Sequence, residues 1–244
     1  MRTLPVLAAL GLFLPSSSTP SVAPASQAAS VPQSASVVEP LAQPVTLFDG
    51  SNLDEWVLFT EASGATRETV ATVKDGVLRL AGDPVGYVAT RRWYRDCVLE
   101  LEWRWPEGRG GNSGVLVHAT APLVFYGWPR SLEVQLEAGN AGDFWVIGGV
   151  DVRVDDEVHR RAKPREGDAH TSRRIANLTD GSEKPLGEWN QMRVECRGDG
   201  VRVWVNDALV NEGRACTDTA GAIALQSEGT PIEFRNVRLR PLER

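Results

Sequence analysis

The chain has 244 residues, with 26 Lys and Arg against 32 Asp and Glu and a formal net charge of −6. No overall field therefore draws it to nucleic acid or to an anionic membrane, and a polar neutral ligand is compatible with it. Three cysteines, Cys97, Cys196 and Cys216, allow one bridge and one thiol, and their spacing fits no metal-binding pattern.

The N-terminal residues read as a targeting segment. Arg2 precedes an apolar stretch from Leu4 to Leu14 that is too short to cross a bilayer, and Ala23-Pro24-Ala25 forms a cleavage site. Residues 1–25 are expected to be a signal peptide of a bacterial protein exported to the periplasm or beyond, with no integral membrane segment after cleavage. Residues 26–45 are rich in Ser, Ala, Pro, Val and Gln, with Glu39 as their one charge. Such a composition cannot bury enough apolar surface to offset its ordering entropy, so it is expected to be a disordered spacer. Residues 46–244 suffice for one large domain.

From residue 70 onward the hydrophobic period is two, broken by Gly-containing turns, which predicts successive antiparallel strands and no convincing helix. The clearest strands are Thr69 to Val73, Val77 to Ala81, Cys97 to Trp105, Ser113 to Ala119, Ser131 to Glu137, Phe144 to Ile147, Met192 to Cys196, Val201 to Val205, Ala222 to Gln226 and Ile232 to Leu239. Lys74-Asp75-Gly76 and Gly198-Asp199-Gly200 supply positive-φ positions for hairpins. Many strands with one apolar face each must pack as two sheets or close a barrel, and an all-β sandwich is the expectation. Asp155 to Gly187 is a polar, Arg-rich stretch without a period; a lid over a site and a solvated insertion are both consistent with it.

In Ser131-Leu-Glu-Val-Gln-Leu-Glu137, alternation puts Leu132, Val134 and Leu136 on one face and Glu133, Gln135 and Glu137 on the other. Trp128 precedes this polar face, and Asp143, Phe144 and Trp145 follow it. Carboxylates and an amide among aromatics suit a sugar-binding groove. His118 shares a strand face with Gly114 and Leu116 and is a candidate acid or base. Gln226 and Glu228 alternate with apolar residues, which fits either ligand contacts or a solvent face. Glu100 and Glu102 share another strand face, read as outward surface. Sandwich glucanases carry Glu-x-Asp-x-x-Glu, whereas Gln135 removes one carboxylate here, so ordinary glycoside hydrolysis through paired carboxylates is poorly supported.

Six separated motifs resemble a known family: Leu47 to Trp56 (LFDGSNLDEW), Asn112 to Val115 (NSGV), Trp128 to Gln135 (WPRSLEVQ), Gly139 to Trp145 (GNAGDFW), Glu183 to Asn190 (EKPLGEWN) and Leu225 to Asn236 (LQSEGTPIEFRN). Together they are similar to the bacterial 3-keto-glycoside lyase/hydratase family, also called 3-keto-disaccharide hydrolases. The resemblance implies a concanavalin A-like jelly-roll sandwich of two antiparallel sheets. It also implies action on glycosides already oxidised at C3 by a separate sugar 3-oxidoreductase. The keto group acidifies the C2 proton, a base removes it, and the C1 substituent leaves to give a 3-keto-2-hydroxyglucal that can be hydrated. On this reading Glu133 or His118 is the base, Asp143 its partner or the acid, and Gln135 with Lys184 polarises the keto oxygen. Asn112, Trp128, Trp145, Gln226 and Arg235 position the sugar. No cofactor is required; a divalent cation could stabilise the enediolate, with Glu133, Asp143 and His118 as candidate ligands. A non-catalytic carbohydrate-binding module is the alternative, since the fold alone does not fix function.

Overall fold

Alternating apolar residues with Gly- and Asx-containing turns build strands throughout the computed structural model, which describes residues 38–120, 127–160 and 173–243. Among these residues the strands are β1 (Val45–Phe48), β2 (Trp56–Phe59), β3 (Ala71–Lys74), β4 (Val77–Leu80), β5 (Gly86–Thr90), β6 (Cys97–Arg104), β7 (Gly114–Ala119) and β8 (Ser131–Gln135). They continue with β9 (Phe144–Ile147), β10 (Arg173–Ile175), β11 (Asn190–Arg197), β12 (Gly200–Val205), β13 (Ala208–Gly213), β14 (Ala222–Ser227) and β15 (Ile232–Pro241). Single helical turns, α1 (Arg67–Val70) and α2 (Glu157–Arg160), are the helices among them.

The strands form two antiparallel sheets. The first runs β13-β12-β11-β6-β15-β4-β3, with β1 added beside β15, and the second runs β10-β9-β8-β7-β14-β5-β2. This is the jelly-roll sandwich expected from the sequence. Its core is the inner face of both sheets: Leu99, Leu101 and Trp103 of β6 and Phe234 of β15 face Val115, Val117, Leu132, Val134, Phe144 and Leu225 of the second sheet. Burial at about 25 cal/mol per Å² of apolar surface is the main force holding the two layers together. The Trp56 indole N–H also donates to the Leu47 carbonyl at 2.8 Å, tying β2 of the second sheet to β1 of the first.

Several sequence expectations shift. Thr69 and Val70 belong to α1, and the strand starts at Ala71; Thr66 and Thr69 cap each other's backbone there and hold one helical turn. Strands β1, β2, β5, β10 and β13 were not anticipated. β5 is buried at all five positions and so shows no alternation, while β10 has three residues. Asp75 and Gly76 both adopt positive φ between β3 and β4, as a two-residue hairpin requires. Residues 1–37, which hold the expected signal peptide and most of the spacer, lie outside the described residues. The spacer's end is shorter than expected, because Leu41 packs on the core and donates its N–H to the Arg95 carbonyl.

Cys97 and Cys196 face each other across β6 and β11. With Cys216 they are buried free thiols, and burial pushes Cys97 and Cys216 up to about 12. Glu100 and Glu102 point outward from the first sheet. Glu100 accepts from Arg238 and Arg240, and Glu102 from Arg235 and Asn236. Burial opposes ionisation, but these bonds outweigh it and hold both carboxyls below their usual range. The bland reading of this pair stands. Among the described residues no helix is long and apolar enough to cross a membrane.

Candidate active site

The outer face of the second sheet carries the other half of each strand's alternation. Phe59, Tyr87, Ala89, Leu116, Ile147, Ala222 and Ala224 form a separate apolar cluster there, with Trp128 and Trp145 packed against it. Strand register arranges this face in rows. The longest row runs Ala89, Ala224, Leu116, Glu133, Trp145 and Arg174 across β5, β14, β7, β8, β9 and β10. The next holds Tyr87 beside Gln226, with Gly114 opposite Gln135. In the third, Asn112 bridges to Glu228.

Gly114 is where the rows converge. A Cβ at this position would lie 2.5 Å from Glu133 Oε1 and 2.4 Å from Gln226 Oε1, so the absence of a side chain makes room for both groups above the strand. Glu133 is buried. Burial, followed by the nearby Glu228 charge, pushes its carboxyl well above the ordinary glutamate range. The half-buried Glu228 is pushed up to about 7 by burial, against a hydrogen bond from the Asn112 side chain that opposes the shift.

Asp143 is buried at the end of this face. Burial raises its carboxyl, although Arg174 Nε donates to Oδ2 at 2.8 Å and the Asn177 N–H to Oδ1 at 2.7 Å. Arg174 also lies 3.4 Å from Glu137. The guanidinium is thus fixed by two carboxylates and stands in the same row as Glu133. Gln135 turns its amide oxygen back onto the N–H groups of Leu136 and Glu137, closing the strand end.

His118 ends β7 with φ of 54°, an uncommon conformation for a residue with a side chain. Gly221 presses on it: a Cβ there would meet the His118 carbonyl carbon at 2.3 Å. Both ring nitrogens are buried without a hydrogen bond of good geometry, and burial lowers the pKa to about 4 against the charge and backbone of Asp218. It is a neutral imidazole at physiological pH.

Of the buried side-chain polar atoms without a side-chain or backbone hydrogen bond among the described residues, Tyr87 Oη, Asn112 Oδ1, both His118 ring nitrogens, Trp145 Nε1 and Gln226 Oε1 belong to this face, while Trp103 Nε1 and Trp105 Nε1 lie in the inner core. Each such atom costs about 1–3 kcal/mol when left unmade. Their gathering on one sheet face is what a site shows when its ligand supplies the missing partners. Phe59 and Tyr87 stack with centroids 4.9 Å apart, and Trp128 lies 6.3 Å from Tyr87, giving an aromatic wall beside the carboxylates.

The structure therefore brings together Glu133, Asp143, Gln135, His118, Asn112, Trp128, Trp145 and Gln226. It does not bring Lys184 or Arg235 to them. Lys184 is exposed beside β11, donating Nζ to the Trp189 carbonyl. Arg235 lies on the outer face of the first sheet, bonded to Glu102 and over the Trp189 ring. Lys184 and Arg235 stand with strands of the other layer, although the motif that holds Arg235 also supplies Gln226 to this face, which corrects their assignment to the sugar site. Nor are Glu133, Asp143 and His118 assembled as metal ligands. Among the described residues no three His, Cys, Asp or Glu side chains are so grouped, and both Asp143 oxygens are occupied by nitrogen donors.

Arg174 and Tyr87 join the site without having been singled out for it, and of the two readings of Glu228, ligand contacts or a solvent face, its place beside Asn112 favours the first. Glu228 carried a signal, since it continues the polar alternation from Gln226. Arg174 carried none: its three-residue edge strand is set by pairing with β9. Part of the polar stretch from Asp155 to Gly187 thus furnishes the site wall, while residues 161–172 lie outside the described residues.

The sequence profile of the 3-keto-alpha-glucoside-1,2-lyase-like domain matches residues 43–240. No curated protein matches the chain. Among solved structures, a provisionally assigned glycosyl hydrolase from Parabacteroides distasonis superposes with a TM-score of 0.55 at 24% identity, covering 82% of this chain and 100% of its own. LamAcat from Zobellia galactanivorans gives 0.53 at 12% identity, over 82% and 97% of the two chains. The carbohydrate-binding module CBM66 from Bacillus subtilis gives 0.51 at 11%, over 75% and 94%. These likenesses fix the fold that the two chains share.

Proposed function

The chain belongs to the 3-keto-alpha-glucoside-1,2-lyase-like domain family, and on that premise we propose that it cleaves 3-keto-glycosides by removing the C2 proton and expelling the C1 substituent. The observation that carries this reading is Glu133: a buried carboxyl, raised by burial and by a neighbouring carboxyl, at the centre of a face of unpartnered polar atoms.

Removing a proton next to a ketone needs one base whose pKa approaches working pH, not two carboxylates flanking an oxocarbenium ion. Burial raises Glu133 and makes it the stronger base, whereas burial lowers His118 to about 4 and makes it the weaker one. The Arg174 guanidinium, held by Asp143 and Glu137, is a fixed cation on this face and takes the role of stabilising the enediolate oxygen. A fixed donor of this kind contributes because it needs no reorganisation as charge develops. Tyr87 and Trp128 offer ring faces to the sugar, and Gln226, Asn112 and Trp145 offer polar atoms to its hydroxyls. Hydration of the 3-keto-2-hydroxyglucal would use the same groups in reverse, giving net hydrolysis. The substrate implies a separate sugar 3-oxidoreductase upstream, and the reading of residues 1–25 as a signal peptide supports action outside the cytoplasm.

The test is proton NMR in heavy water with a 3-keto-glucoside and its unoxidised parent. Loss of the C2 proton and release of the aglycone from the keto-sugar alone, both abolished by Glu133→Gln, is the expected result. Binding of both sugars with no exchange in either would instead make this face a carbohydrate-binding surface.

A further inference from the structure

The outer face of the first sheet takes no part in the chemistry proposed above. Its four neighbouring strands β11, β6, β15 and β4 carry seven arginines, four glutamates and no other charged residue. All of these lie on the outer face, because the alternate positions of the same strands fill the core. A chain whose net charge is −6 thus concentrates an excess of positive charge on one sheet face.

Depth sharpens the imbalance. The Glu100, Glu102, Glu195 and Glu233 side chains are between 13% and 20% exposed, whereas the arginines paired with them are between 33% and 59% exposed. Arg238 and Arg240 stand over Glu100, Arg235 over Glu102, and Arg79 with Arg104 over Glu233. An arriving partner therefore meets guanidinium groups with the carboxylates recessed beneath them. A guanidinium has five N–H donors in a planar fork, so one that binds a carboxylate on one edge keeps donors on another. Arg193 stands over the Trp204 ring, 3.6 Å from its centroid, and with Arg238, Arg240, Gln191 and Asn236 it lines a shallow groove of about 460 Å³.

We propose that this face binds an acidic polysaccharide, one that carries carboxylate groups on hydroxylated rings. Every base on these strands is arginine, whose fork takes a carboxylate through two parallel hydrogen bonds where lysine offers a point charge. The Gln191 and Asn236 amides add polar atoms for hydroxyls between the charges. A membrane surface fits less well. Among the described residues the large exposed apolar side chains all lie off these four strands, and the Trp189 and Trp204 rings sit under guanidinium groups, so no apolar group is offered to lipid chains. The sugar site occupies the outer face of the opposite sheet, so a protein held this way keeps that site open to a small glycoside. The docking face stands independently of the elimination chemistry.

The experiment measures binding of the full-length protein to polygalacturonate, neutral dextran and phosphatidylglycerol vesicles, by calorimetry and co-sedimentation. Its variant is Arg193→Gln with Arg238→Gln, which removes two charges while Arg240 still holds Glu100. Polygalacturonate is expected to bind and dextran not to. The variant should bind at least about tenfold more weakly, and raising salt from about 20 to about 200 mM should weaken the wild type by a similar factor. Glu133→Gln should bind polygalacturonate as the wild type does, and the arginine variant should cleave 3-keto-glucosides as the wild type does, which separates this face from the sugar site. No binding of polygalacturonate, equal binding of dextran, or equal binding by the arginine variant would overturn the proposal. Binding of vesicles without polygalacturonate would overturn it in favour of a membrane surface. Should the double variant not fold, Arg193→Gln alone and the wild-type salt series decide, and an affinity that neither changes refutes the proposal.

Discussion

Glu228→Gln has a consequence for stability that needs no substrate. The folded-state pKa of Glu228 rises from 4.5 to about 7 because burial penalises its charged form. The folded protein therefore holds this proton more tightly than the unfolded chain does, and stability falls as pH climbs from about 4.5 to about 7, then levels. A shift of that size corresponds to about 3 kcal/mol at ~1.36 kcal/mol per pKa unit. Solvent reaching the half-buried group reduces it to about 2 kcal/mol. Gln has the same shape, keeps an oxygen for Asn112 and carries no charge, so the variant escapes the loss. At roughly 2–4 °C per kcal/mol for a domain of this size, it should melt about 4–8 °C above wild type at pH 8. At pH 4 the two should melt together. Circular dichroism melts across that range measure it. A difference that does not change with pH, or a wild type that is the more stable protein at pH 8, would show that this carboxyl is not ionising in an apolar setting.

Gly114→Ala places a methyl group against the ends of two flexible side chains, Glu133 and Gln226, rather than against backbone; the fold should survive with a cost of about 1 kcal/mol or less, while turnover drops at least tenfold, read by melting and keto-glucoside cleavage together. Arg174→Lys keeps a positive charge but cannot engage Asp143 and Glu137 in one planar fork, so kcat/KM should fall about 10²-fold with the melting temperature little changed. Lys184→Ala and Arg235→Ala should leave C2 exchange within about twofold, since both side chains serve the other sheet; Arg235→Ala removes a surface pair to Glu102 and should cost about 1 kcal/mol or less by denaturant unfolding.

The sandwich was legible in the sequence because each exposed-face strand must alternate, and the alternation of β6, β7, β8, β11 and β14 states which residues point inward. The same rule placed Glu133, Gln135, Gln226 and His118 on polar faces, and the family motifs named most of the sugar face. Alternation within one strand, however, cannot say which polar faces meet. Glu183 to Asn190 and Leu225 to Asn236 each read as one motif, yet Gln226 and Arg235 end up on opposite sheets because the chain crosses between layers from β14 to β15. Lys184 follows Asn190 to the first sheet for the same reason. Arg174 and Tyr87 were silent: one lies on a three-residue edge strand and the other on a strand buried along its whole length, so neither has a period to read. Local alternation suffices for the two-layer sandwich and for the polar side of the strands that alternate. That Glu133, Glu228 and Arg174 share one face follows from cross-strand register, set by pairing between residues as distant as Ala89 and Ala224, which is not encoded in any local pattern.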